Sequence, residues 1–99
     1  MSEHIEIDHP GIMLKEDFLD ELGVKPGALA AAIKVDRAAI KSIIDGRRSI
    51  TAEMALRFGL FFGTSPDFWL NLQKDYDLRK AKIERGAELA AAITPLKVA

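Results

Sequence analysis

Five cations, Lys34, Arg37, Lys41, Arg47 and Arg48, fall within fifteen residues of this chain, against two acids, Asp36 and Asp45. Groups of this kind work on anions: arginine offers paired donors that match a guanine edge or a phosphate, and lysine offers a point charge. Overall charge does not explain them, because the formal net charge is −1. Residues 1–24 sum to −6, residues 34–48 to +3, residues 49–78 to −2 and residues 79–99 to +3. A basic island in an acidic surround suits one surface facing phosphates while the others face water or a protein.

The elements that must position these cations run from Val24 to Arg48, which reads as a helix-turn-helix. Leu29 and Ile33 stand at i, i+4, with small Ala30 between them where the two helices must cross closely. Ile40, Ile43 and Ile44 share one side of the second segment, and Lys34-Val35-Asp36 lies between the two. Pro26 suits a first helical position, Asp36 is expected to accept from the free N–H groups opening the second helix, and Gly46 suits a left-handed end. Such a motif lays its second helix in the major groove, so Arg37, Ala38, Lys41 and Ser42 are the candidates to face base edges. Arg37 can donate twice to guanine, Ala38 can touch a thymine methyl, Lys41 reaches a base or a phosphate, and Ser42 either strand. The amides near Gly27 and Ala28, together with Arg47 and Arg48, are placed to hold phosphates.

Other chemistries find little support. The chain has no cysteine, which excludes disulfides and cysteine-based metal or nucleophile sites. Its two histidines, His4 and His9, lack the spacing of a metal site, and Ser2, Ser42, Ser49 and Ser65 have no glycine elbow around them. No phosphate-binding glycine loop is present, so neither an enzyme nor a cofactor is expected. No apolar run approaches the roughly 18 residues of a membrane span, and Glu3, Glu6 and Asp8 are unlike the start of a signal peptide. A soluble cytoplasmic protein is expected, its 99 residues forming one domain that buries roughly 60–68% of its unfolded surface.

The flanks predict an all-α fold of five helices. Residues 1–9 read as an extended arm or a frayed terminus, with Ile5 and Ile7 alternating with Glu6 and Asp8, and His9-Pro10-Gly11 makes a turn. Leu14, Phe18 and Leu22 then recur every four positions in a first helix that Gly23 stops. Thr51 caps a fourth helix whose inner stripe is Ala55, Phe58, Gly59 and Phe62, while Leu60 falls on its polar side, either simply exposed or in a protein contact. Gly63-Thr64-Ser65-Pro66-Asp67 stops that helix and starts the next, whose Phe68, Trp69, Leu72 and Tyr76 pack over the body. From Leu78 to Thr94 the apolar stripe thins to Ile83, Ala87, Ala90 and Ile93, which suits a helix leaving the body for a second chain, or a partly frayed tail. Residues 80–99 are thus a helical extension, with Tyr76, Ile83, Ala87 and Ala90 as candidate self-contacts.

Two longer stretches are more specific: HPGIMLKEDFLDELG, then LAAAIKVDRAAIKSIIDGRRSITAEMALRFGLFFGTSPDFWLNLQKDYDL. Over about residues 9–79 the chain resembles the HigA (VapI-type) antitoxins of bacterial toxin–antitoxin modules, within the Xre group of repressors. The SPDFWLNLQ run sets it apart from ordinary repressors of that group. The resemblance implies a phage-repressor-like fold and a homodimer on an operator palindrome in its own promoter. It also implies neutralisation of HigB, a small basic mRNA endonuclease. Lys34 stands where a glycine is common, which implies a strained or different turn and adds a phosphate contact. Asp45 stands where asparagine or a basic residue is usual, and an acid there weakens DNA binding, as do Ala38 and Ala39 in place of base-reading side chains. Ile12 stands where the family often has an acid, and Leu60 replaces a frequent basic residue. The alternatives are a stand-alone repressor without a toxin, and an interaction module that has lost DNA binding.

Overall fold

Prolines, glycines and hydroxyl side chains divide the chain into helices. The computed structural model describes residues 8–97, so the expected N-terminal arm, apart from Asp8 and His9, lies outside the described residues. Helix α1 (Pro10–Met13) runs directly into a π-helical segment, Leu14–Asp20. Then come α2 (Pro26–Ile33), α3 (Arg37–Ile44), α4 (Ala52–Phe62) and α5 (Pro66–Ala92), an all-α order among the described residues. Thr51 Oγ1 accepts from Met54 N–H and Ser65 Oγ from Phe68 N–H, each at 3.2 Å, as the sequence predicts.

Two local expectations need correction. Asp36 sits at the N-cap of α3, but its side chain makes no capping bond. The Ala39 N–H that such a cap would take bonds at 3.0 Å to the backbone carbonyl of Asp36 itself, and the exposed carboxylate is left to water. The first helix also abandons its period of four. A π-helix bonds i to i+5 and widens the turn, so residues five apart share a face. Leu14 and Leu19 are therefore the buried pair, while Leu22 is 61% exposed.

The core draws on the π-helical segment and all of α2 to α5, from Leu14 and Leu19 through Leu29, Ile40 and Phe58 to Trp69. Trp69 is fully buried, with its ring centroid 4.8 Å from that of Phe18 and 4.9 Å from that of Phe58. Burying an indole requires a partner for its N–H. Trp69 Nε1 donates to Thr64 Oγ1 at 2.7 Å. Gln73 is also buried: its Oε1 accepts from Ile50 N–H at 2.8 Å and its Nε2 donates to Asp77 at 3.0 Å. The first bond ties α5 to the loop between α3 and α4, and the second, within α5, holds the amide in place. Helix α5 continues unbroken through Gly86 for 27 residues. At 1.5 Å per residue it is about 40 Å long, and Leu78 near its middle, Ile83 and Leu89 on its distal half and Ile93 just past its end are exposed.

Gly11 sets the approach of the first helix to α3. A methyl group there would collide with the Ile43 backbone carbonyl, which cannot swing aside as a side chain can. Gly11→Ala is accordingly expected to lower the unfolding free energy by about 1–3 kcal/mol. Urea denaturation checks this, and an unchanged midpoint would contradict so close a contact.

Candidate nucleic-acid interface

Helices α2 and α3 pack through small and branched side chains: Leu29, Ala30 and Ile33 from one and Ala39, Ile40 and Ile43 from the other are all buried. Burial turns the remaining side of α3 outward. Arg37, Ala38 and Lys41 are exposed there, and Ser42 is half-buried. Ala39 belongs to the core, so Ala38 alone of the alanine pair can face a ligand.

The structure brings several candidates together. The Arg37 side chain lies along the opening of α2, where a Cβ built on Gly27 would stand 3.7 Å from Arg37 Nε. Gly27 and Ala28 are in the first turn of α2, where N–H groups have no partner within the helix. Past α3, Gly46 takes φ +78, and the N–H groups of Arg47 and Arg48 bond to the Ser42 carbonyl at 2.8 and 3.2 Å. Arg47 and Arg48 are exposed, and among the described residues no carboxylate pairs with Arg37, Arg47 or Arg48. Lys41 differs, its Nζ lying 3.3 Å from Asp45 Oδ2. An exposed pair of this kind is worth about 1 kcal/mol or less, so a phosphate can displace it.

Other candidates stand apart. Lys34 is at the far end of α2 from Gly27 and Ala28. On α5, the Tyr76 ring packs against His9 of the same chain, with centroids 4.8 Å apart, whereas Ile83, Ala87 and Ala90 lie exposed beyond the body. Among the described residues no three His, Cys, Asp or Glu side chains gather into a metal cluster, and no helix is long and apolar enough to cross a membrane.

No family model matches the chain. Antitoxin HigA-1 of Vibrio cholerae is 38% identical to it over 88 residues, which is 89% of this chain and 82% of that one. The chain belongs to the HigA family of antitoxins. Virulence-associated protein I of Dichelobacter nodosus is 40% identical over 77 residues, 78% of this chain and 71% of that one. Among solved structures, the Pseudomonas aeruginosa antitoxin HigA with the higBA promoter superposes with a TM-score of 0.89 at 40% identity, covering 93% of this chain and 100% of that one.

In this HigA-family chain the turn carries a lysine in the left-handed region, Lys34 at φ 65 and ψ 45. Helices commonly end that way on glycine, and a side chain there costs roughly 1–2 kcal/mol. What holds it is Arg57 of α4, which no sequence motif singles out. Its Nη1 donates to the carbonyls of Ile33 and Lys34, while Nε and Nη2 donate to Glu53 at 3.2 and 2.9 Å. The available signal was the Glu53–Arg57 spacing of four, which pre-orders the guanidinium. Arg57→Ala is expected to lower the unfolding free energy by about 1–3 kcal/mol, and Lys34→Gly to raise it by about 1 kcal/mol. Denaturant melts of the two variants check both signs. Equal, near-zero shifts would remove the clamp from the account.

Proposed function

We propose that the chain is an antitoxin and autorepressor, which binds an operator in its own promoter as a homodimer and neutralises a basic HigB-type mRNA endonuclease. The observation that carries the DNA half is the convergence of Arg37, unpaired among the described residues, with the opening turn of α2, while Arg47 and Arg48 stand exposed past the other end of α3. A relative with 40% identity is known with its promoter, which supports the same reading.

With α3 in the major groove, Arg37 donates to a guanine edge and Ala38 meets a thymine methyl. Lys41 leaves Asp45 for a base or phosphate, and half-buried Ser42 reaches whichever strand passes closest. Gly27, Ala28, Arg47 and Arg48 hold the backbone on either side, and Lys34 adds a more distant phosphate contact. A dimer joined along α5 through Tyr76, Ile83, Ala87 and Ala90 sets the two recognition helices about 34 Å apart. The toxin is offered the acidic first helix, where Glu16, Asp17, Asp20 and Glu21 are exposed. The chain acts in the cytoplasm without cofactor or membrane. An interaction module that has lost DNA binding is the second reading, drawn from the Lys41–Asp45 pair and from Leu60, which is 87% exposed.

Fluorescence anisotropy on promoter and random duplexes across a salt series separates these roles. Arg37→Ala is expected to lose discrimination between the duplexes, by about 1–3 kcal/mol. Arg47→Ala weakens both and lowers the salt slope by about one. Asp45→Asn, which frees Lys41, tightens both and steepens the slope by up to about one. Affinity insensitive to salt for every duplex would favour the second reading.

A further inference from the structure

Three separate elements meet at one imidazole. His9 precedes α1, and its Nδ1 accepts a hydrogen bond from Gly11 N–H at 3.0 Å, which caps that helix. Its ring meets Tyr76 of α5 edge-on, with planes at 75°. The same ring lies against Gly46 at the end of α3, where a Cβ would stand 3.5 Å from His9 Cγ. Gly46 opens the segment that carries Arg47 and Arg48, whose N–H groups share the Ser42 carbonyl.

The capping bond dictates which protonation state this junction tolerates. Nδ1 accepts only while it carries no proton, and an imidazolium would set one N–H against another in a half-buried place. We propose that His9 is a positioning residue for Arg47 and Arg48, coupling α5 to the phosphate-facing end of α3 through a neutral imidazole and releasing that coupling in mild acid. The proposal rests on the phosphate-binding reading of those arginines.

The charges around the ring come from every neighbouring element. Burial, the largest influence, pushes the pKa below the ordinary 6.5; Asp77 on α5 favours the imidazolium and Lys80 opposes it. Asp8, Glu16 and Asp17 line the same groove as His9, and Asp45 and Arg47 flank Gly46. A histidine whose folded pKa is depressed stabilises the fold fully above its unfolded value, and loses that contribution as pH falls through the folded one. The coupling is therefore complete above about pH 6.5 and fails as the pH falls through the depressed folded value.

The test follows backbone amides of the full chain by NMR, without DNA, from about pH 8 to about pH 5. The Gly46, Arg47 and Arg48 amides are expected to shift with the same midpoint as the His9 imidazole. In His9→Asn, whose side-chain oxygen still caps α1 but does not titrate, they stay fixed. In Tyr76→Leu the His9 midpoint moves towards 6.5, because the ring loses cover. Amides that stay still while wild-type His9 titrates, or that move equally in His9→Asn, overturn the coupling. With a promoter duplex, wild-type affinity is expected to fall about 5-fold or more across the same midpoint, while that of His9→Asn is flat. Failure of every duplex to bind at any pH instead overturns the phosphate reading, and the amide titration still decides the coupling.

Discussion

A guanidinium from α4 holds the two carbonyls with which α2 ends, and the recognition surface depends on that grip. Helix α2 must stop and α3 begin within three residues, so the chain turns through a left-handed lysine. With the turn held by Arg57, buried Ala30 and Ile33 meet Ala39 and Ile43, and that packing fixes which side of α3 faces outward. Gly11 presses the first helix against the backbone of the same helix from another direction. The orientation of Arg37 is thus set by contacts that never touch a ligand.

Charge on the outward side of α3 is set by its neighbours. Among the described residues Lys41 has an exposed partner in Asp45, while Arg37, Arg47 and Arg48 pair with no carboxylate, and α5 likewise leaves Lys74, Arg79, Lys80 and Lys82 unpaired. Arg37, Arg47 and Arg48 are left with water. One exposed arginine beside the open end of α2 and two more past the far end of α3 form an arrangement that suits phosphate.

Much of the architecture was legible in the sequence because local chemistry decides it. Pro26, Thr51, Ser65 and Gly63 mark helix ends through bonds and dihedrals spanning only a few residues. The outward side of α3 was legible too, since burying Ile40 and Ile43 exposes Arg37 and Lys41 by helical period alone. The misses were non-local. Nothing in the period of Leu14, Phe18 and Leu22 announces a π-helix, which arises as Phe18 reaches the Trp69 cluster while Leu19 stays buried. Arg57, Gln73 and His9 act across 23 or more residues of chain or between separate helices, where spacing does not reveal the distant partner, even where it pre-orders Arg57 on Glu53.

Methylation interference on the promoter duplex tests the central claim most directly, because it reports guanine N7 in the major groove. Interfering guanines are expected in two half-sites about one helical turn apart, with both signals lost in Arg37→Ala while residual binding persists. Tight binding with no interfering guanine, or interference unchanged in Arg37→Ala, would contradict a recognition helix seated in the major groove.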